Sequence, residues 1–149
     1  MGEETGPVTL LTEIETEQSR LRGLLSGRDE AFMAERPPNG TWSVLENVRH
    51  LLFAEQSHLG RFRAGGREWS PLGLPPTGMQ GQRQLQVMAG TPTASVAEVM
   101  DAWVVAHASI RAGIEGDAGG AAKVLDRHLR HLRAHIKVIE RLLRNAGSG

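Results

Sequence analysis

The 149-residue sequence contains no cysteine, and its formal net charge is zero. The absence of cysteine excludes disulfide bonds, thiolate metal ligands and a cysteine nucleophile. Because 17 basic residues balance 17 acidic ones, nothing indicates electrostatic binding to nucleic acid or to an anionic membrane. No apolar run approaches the ~18 residues that cross a bilayer, and the acidic N-terminal segment is not a signal peptide. We therefore expect a cytoplasmic protein without a membrane partner.

Apolar residues recur at three- and four-residue steps in four long stretches, which predicts four helices and no strand. The predicted helices cover residues 8–26, 43–64, 95–116 and 121–145. Ser43 with Glu46, and Ser95 with Glu98, have the spacing of capping boxes at the start of helices. In the last helix the apolar residues are spaced 4, 3, 4, 3, 4, as in a bundle seam: Leu125, Leu129, Leu132, Ile136, Ile139 and Leu143. We predict a single domain over residues 1–149, an all-α four-helix bundle.

A glycine- and proline-rich stretch, residues 65–93, predicts a long connection between the second and third helices, with one short helix near residues 83–88. Connections of this length often lie over a functional site. A plain crossover is the alternative interpretation, and the two have equal weight. The earlier segment DEAFMAER, residues 29–36, is interpreted as a shorter turn before a proline break.

Three of the six histidines, His128, His131 and His135, lie on the last predicted helix. At about 100° per residue they fall on one flank of the apolar seam, and most of the helix's arginines fall on the opposite side. His131 and His135 are four residues apart, so both rings project from one face and could bind one metal ion. The pattern alone is not specific, because partly buried histidines also form such pairs while donating to backbone or carboxylate groups.

A third metal ligand would have to come from another helix, from His50, His58 or His107. His107 lies in the apolar stripe of the third predicted helix, which favours a hydrogen-bonded core histidine. His58 lies near the end of the second predicted helix, which favours a half-exposed position. His50 lies off the centre of the most apolar arc of that helix, so the helical pattern alone leaves the choice open.

Two segments of the chain resemble the DinB/YfiT-like superfamily of metal-binding four-helix bundles. They are Trp42-Ser43-Val44 followed by His50-Leu51, and Arg130-His131 followed by Ala134-His135-Ile136. The helix order and the long connection agree, so the resemblance covers nearly the whole chain. It implies a site for a divalent metal ion with His50, His131 and His135 as ligands. A register that uses His128 with His131 remains an alternative.

The resemblance also implies a metal-dependent enzyme that acts on a small-molecule substrate. Three imidazoles leave coordination positions open, as in catalytic sites, and zinc or nickel are the first candidates for the ion. One reaction is the transfer of a low-molecular-weight thiol, as co-substrate, to an electrophile. The other is metal-assisted hydrolysis, in which the ion lowers the pKa of water. The alternative class is a non-catalytic metal-binding or ligand-sensing bundle, or a scaffold.

The sequence contains no H-E-x-x-H motif, so the metal motif brings no general base of its own. Glu46, Glu55 and Asp126 are the nearby carboxylates that could act as a base or support a ligand. Helix capping is the simpler interpretation of Glu46, and ordinary surface charge is the simpler one of Asp126. The missing base favours thiol transfer over hydrolysis.

Partners are indicated only by the faces of the last predicted helix. Members of the resembled superfamily commonly pair, and Val138 and Leu142 widen the apolar stripe beyond one seam, so we expect a homodimer. The arginine-rich opposite face has no interleaved aromatic residues and is interpreted as a solvated surface, so nucleic-acid binding is not expected.

Overall fold

The computed structural model describes residues 6–76, 78, 94–116 and 119–147. Within these ranges the chain forms five α-helices and no strand: α1 Pro7–Leu25, α2 Glu30–Ala34, α3 Val44–Leu59, α4 Val96–Gly116 and α5 Ala121–Gly147. A 3₁₀ turn, Gly60–Phe62, follows α3 directly. The prediction of an all-helical protein is confirmed. None of the described helices combines the length and apolar character that a membrane span requires.

Local sequence signals explain where the helices begin. Ser43 and Glu46 form the predicted capping box, with reciprocal side-chain-to-backbone hydrogen bonds of 3.0 Å at the start of α3. Ser95 and Glu98 make the same pair of contacts before α4, at 3.1 and 3.3 Å. Such pairs satisfy backbone N–H groups that have no partner within the helix. The predicted capping boxes are therefore both present.

Two boundaries differ from the prediction. Five residues of the DEAFMAER segment form a helix, α2, whose first turn is capped by the Asp29 side chain through a hydrogen bond from the Ala31 N–H. The second predicted helix ends at Leu59 and continues only as the 3₁₀ turn, short of the glycine pair at residues 65 and 66. The predicted short helix at residues 83–88 lies outside the described residues, as does most of the predicted connection.

The four long helices share one core. α1 packs against α4 and α5, and α3 packs against the same two helices. The predicted seam of α5 is buried along its whole length, and it belongs to the same apolar cluster as Trp103 of α4 and Leu11 of α1. Burial of such side chains from water is the main source of stability in this arrangement.

Helix α3 is the most enclosed element, because 13 of its 16 residues are buried. The 3₁₀ turn that follows α3 also comes very close to α4: a Cβ atom at Gly113 would lie 1.8 Å from the carbonyl oxygen of Phe62. Only a residue without a side chain permits that approach. Polar residues of α3 are consequently inside the protein, where each needs a partner.

Candidate metal centre

The rings of His50, His131 and His135, here called the histidine triad, come together between α3 and α5. One nitrogen from each ring lies within 4.8 Å of a nitrogen of both others. The ring centroids of His131 and His135, one turn apart on α5, are 4.5 Å apart, and His50 lies 4.9 Å from His135 and 5.5 Å from His131. The structure therefore brings together the three residues that the family resemblance implied.

Hydrogen bonds fix the orientation of two of these rings. His50 Nδ1 lies 3.2 Å from the carbonyl oxygen of Leu74, and His135 Nδ1 lies 3.3 Å from Oδ1 of Asn47. Both oxygens only accept, so each Nδ1 must carry the proton and donate it. The unprotonated nitrogen of each ring is then Nε2, and it is free to bind a metal. Such outer partners are a regular feature of metal-binding histidines.

The amide of Asn47 is itself held in the orientation that this role needs. Its Nδ2 donates to the carbonyl oxygen of Ser43 at 2.9 Å, with a longer contact of 3.5 Å to that of Trp42. The amide nitrogen is therefore turned to backbone acceptors, which leaves Oδ1 facing His135. Asn47, in the first turn of α3, therefore presents its Oδ1 as the acceptor for His135 Nδ1–H.

The triad is electrically neutral at ordinary pH. Burial, followed by the charges of neighbouring imidazoles, lowers the pKa of His131 and of His135 from 6.5 to about 4. Burial also lowers the pKa of His50, and the hydrogen bond to Leu74 opposes this effect only in part. Because a metal binds the unprotonated ring, these shifts favour binding.

The residues present fit a divalent ion. Ligand nitrogens about 2.1 Å from a tetrahedral ion lie about 3.4 Å apart, and one nitrogen from each ring of the triad lies within 4.8 Å of the others. In addition, Nδ1 of His131 is buried without a hydrogen-bond partner among the described residues. A buried polar atom without a partner costs free energy, and among the described residues the Nδ1 of His131 is the one triad Nδ1 without a hydrogen bond.

The comparison with protein families agrees with this geometry. The family model of the DinB superfamily matches residues 13–145, from within α1 to the last turns of α5. The chain belongs to the DinB superfamily. The resemblance inferred from the sequence is therefore confirmed, and the matched range includes the whole triad. Searches of the curated proteins and of the solved structures found no match.

In this DinB-superfamily protein the alternative ligand His128 is not part of the cluster. His128 is fully buried, and its Nδ1 lies 3.0 Å from Nδ1 of His58. The ring of His58 lies edge-on to the ring of His131, 5.3 Å between centroids. His58 is half-buried, as predicted. His58 and His128 therefore form a second layer of imidazoles behind the triad.

A buried ionic network lies on the far side of His128. Glu55 is fully buried; its Oε1 accepts from Trp103 Nε1 at 3.0 Å and its Oε2 from His107 Nδ1 at 2.8 Å. His107 Nε2 donates in turn to Glu15 at 2.8 Å. Because His107 donates from both nitrogens, it is an imidazolium. The prediction of a hydrogen-bonded core histidine is confirmed for His107.

The pKa values of this network follow from its pairing. Burial alone would raise the pKa of Glu55, but the hydrogen bond from His107 and the electrostatic interaction with His107 and His128 outweigh it and lower the pKa to about 2. Burial would likewise lower the pKa of His107, yet Glu55 and Glu15 raise it to about 9. The contact from His128 Nε2 to Glu55 is 3.7 Å, too long for a hydrogen bond, so its contribution is chiefly electrostatic.

None of the three carboxylates considered as a base contacts the triad in the described structure. Glu55 is engaged by Trp103 and His107. Glu46 completes the capping box and pairs with Arg36 through both oxygens, at 2.8 and 2.9 Å. Asp126 is exposed and pairs with Arg130 at 2.9 Å. The capping and surface interpretations of Glu46 and Asp126 are confirmed.

Sequence reasoning missed the outer partners of the triad. Asn47 precedes His50 by three residues, so the helical period places both on one face, and this signal was available. Leu74 contributes only its backbone carbonyl, which no side-chain pattern can reveal.

Proposed function

We propose that this single-domain, four-helix-bundle member of the DinB superfamily is a metal-dependent enzyme. Its divalent ion, zinc or nickel, is held by His50, His131 and His135. The proposed reaction is the transfer of a low-molecular-weight thiol to a small electrophilic substrate, and metal-assisted hydrolysis is the alternative reaction. When bound, the ion would supply Lewis acidity that lowers the pKa of a thiol or of water.

The observation that carries the proposal is the convergence of three neutral imidazoles within 4.8 Å. The Nδ1–H groups of His50 and His135 donate to oxygen acceptors, and these hydrogen bonds fix the tautomer of both rings. Three protein ligands leave at least one coordination position for an exogenous group, which is the pattern of catalytic rather than structural sites.

Thiol transfer is preferred over hydrolysis because of what surrounds the triad. Activation of water benefits from a carboxylate or similar base within hydrogen-bond reach, and Glu46, Glu55 and Asp126 are all engaged elsewhere in the described structure. A thiol needs less help, because its ordinary pKa, about 8.5, is far below that of water. The sequence has no cysteine, so the thiol would come from a co-substrate.

The first experiment measures metal content. Wild-type protein reconstituted with zinc or with nickel should hold about one ion per chain by elemental analysis, and His50→Ala and His131→Ala should each lose tight binding. His58→Ala and His107→Ala are matched histidine controls that should keep the ion. Wild-type protein without metal, or His107→Ala that loses it while His50→Ala retains it, would contradict the assigned ligands.

The second experiment separates an enzyme from a closed metal-binding module. Cobalt-substituted protein is titrated with 2-mercaptoethanol and followed by absorption spectroscopy. A thiol that enters an open coordination position should produce a thiolate-to-cobalt charge-transfer band that His131→Ala does not give. A cobalt spectrum that saturating thiol leaves unchanged would favour the non-catalytic module.

We also propose a homodimer. Val138 on the outer side of α5 is 37% exposed, and Leu142, one turn later, is half-buried. An apolar pair at the surface is stabilised when a second copy covers it. Light scattering should give twice the mass of the chain, and a monomer across a wide concentration range would remove this part of the proposal.

A further inference from the structure

Residues 67–74, here called the strap, lie along the outside of α3 and run in the opposite direction. At one end Arg67 donates to the carbonyl oxygens of Gln56 and Ser57, at 3.0 and 3.1 Å. In the middle the ring of Trp69 stacks on that of Phe53, with centroids 5.0 Å apart and planes 12° from parallel. The strap is therefore attached to α3 by side chains before it reaches the triad.

At its other end the strap is held by Arg49, a buried residue of α3. The guanidinium group donates from Nε to the carbonyl oxygen of Leu72 at 3.0 Å and from a terminal nitrogen to that of Gly73 at 3.4 Å. A planar guanidinium can direct two donors at neighbouring acceptors at once, which an ammonium group cannot do with the same geometry. Arg49 thus fixes two consecutive peptide groups of the strap.

The next residue of the strap connects Arg49 to the triad. The N–H of Leu74 donates to the backbone carbonyl of Arg49 at 3.0 Å, and the carbonyl oxygen of Leu74 accepts from His50 Nδ1 at 3.2 Å. Gly73 packs closely on α3, because a Cβ atom there would lie 3.3 Å from Cβ and 3.4 Å from Cα of Phe53. The position of the acceptor for His50 therefore depends on how the two preceding residues are held.

We propose that Arg49 is a positioning residue of the metal centre. By holding the carbonyls of Leu72 and Gly73, it places the carbonyl of Leu74 against His50 Nδ1–H. This contact keeps His50 in the tautomer whose Nε2 is unprotonated and turned away from the strap. The inference deepens the proposed function, on which it rests for the identity of the ligand, but its effect on the His50 tautomer exists without any metal.

The test compares Arg49→Met with Arg67→Met, a matched control that removes two side-chain-to-backbone hydrogen bonds from the far end of the same strap. Zinc affinity is measured by competition with a chelator. Loss of an outer partner typically weakens metal binding about tenfold to a hundredfold, and we expect a loss of this size for Arg49→Met. Arg67→Met should stay within about twofold of the wild type, as exposed substitutions usually do.

A second readout follows the tautomer directly, by nitrogen-15 NMR of the metal-free protein. His50 should be protonated at Nδ1 in the wild type and in Arg67→Met, and it should become a mixture of Nδ1–H and Nε2–H forms in Arg49→Met. A purely structural role for Arg49 would lower stability without changing this ratio. Arg49→Lys keeps the charge but not the forked geometry, and it should show the same changes to a smaller extent.

The outcomes are decisive in each case. Arg49→Met and Arg67→Met with equal zinc affinity and an unchanged His50 tautomer would overturn the inference. If Arg49→Met does not fold, Arg49→Lys decides by the same two measurements. If the wild type binds no zinc or nickel, the proposed function fails, whereas the tautomer comparison still decides whether Arg49 positions His50.

Discussion

Replacement of Glu55 by glutamine keeps the shape of a fully buried side chain but removes its charge. In the wild type Glu55 accepts hydrogen bonds from Trp103 and from the imidazolium of His107. A glutamine has one acceptor oxygen and one donor group, so it can satisfy only one of these two donors well. The imidazolium would then lose its buried counter-charge, and only Glu15, at the surface end of the network, would remain as its partner.

The size of the effect follows from the pKa of His107, which the network raises from 6.5 to about 9. This difference corresponds to about 3 kcal/mol of interaction, which Glu55 shares with Glu15, and removal of one partner of a buried ion pair typically costs ~3–5 kcal/mol. The lowered pKa of Glu55 reflects the same interaction and is not counted again. A loss of about 3 kcal/mol is a large part of the ~5–15 kcal/mol that stabilises a typical domain.

The effect should depend on pH with a definite sign. The raised pKa of His107 stabilises the fold fully below its unfolded value of 6.5, and this contribution disappears as the pH rises through about 9. The lowered pKa of Glu55 stabilises the fold above 4.5, and that contribution disappears as the pH falls towards about 2. The difference between wild type and Glu55→Gln should therefore be large near neutral and mildly acidic pH and smaller in alkali.

Urea denaturation of both proteins at about pH 6 and about pH 9.5 measures this difference on either side of the His107 titration. Glu115→Gln is the control, since Glu115 lies at the exposed end of the network, 3.3 Å from Arg111, and its loss should cost less than about 0.5 kcal/mol. The reasoning fails if Glu55→Gln loses less than about 1 kcal/mol at the lower pH. It also fails if the loss is the same at both pH values.

Two further predictions concern other parts of the molecule. Gly113→Ala should lower the free energy of unfolding by about 1–3 kcal/mol or more, because its Cβ would overlap the carbonyl oxygen of Phe62. A Cβ atom at Gly23 of α1 would meet no atom within 4 Å, so Gly23→Ala should be neutral or stabilising by up to about 1 kcal/mol. Equal melting temperatures for Gly113→Ala and Gly23→Ala would contradict the close approach of Gly113 to Phe62. Zinc occupancy, measured after dialysis at decreasing pH, should persist below the ordinary histidine pKa of about 6.5 and fall as the pH approaches about 4, where His131 and His135 take up protons. Zinc released completely while these two rings remain unprotonated by NMR would show that other groups hold it.

The sequence predicted the helices well where local signals act. The capping boxes at Ser43 and Ser95 and the seam of α5 depend on neighbours within one helix, and all three are present. The helix α2 was missed because five residues are too few for a periodic pattern. The end of α3 at Leu59 was also missed, because the strap bound alongside it, rather than a helix-stop signal, determines the path of the following chain.

The site was harder to predict because α3 is buried on nearly every side. A helical wheel assumes that one face of the helix is exposed to solvent. It therefore placed His50 away from the centre of the buried face, although His50 is only 7% exposed. The same assumption gave no sign that Glu55 is buried, because its hydrogen-bond partners come from α4 rather than from its own helix. Only the family resemblance separated His50 from His58 and His107, because contacts between helices leave no trace in the period of one helix.

The enclosure of α3 has a consequence for how this chain can change over generations. With 13 of 16 positions buried, almost every substitution in α3 meets packed neighbours, so we expect tolerated variation there to be rare. Helix α5 differs, because its outer face is exposed, and substitutions on that face should change the free energy of unfolding little. The two parts of the triad therefore have unequal freedom. The histidine that α3 contributes to the triad is surrounded by packed neighbours, whereas His131 and His135 on α5 are only half-buried, so we expect substitutions at the α5 positions to disturb the fold less.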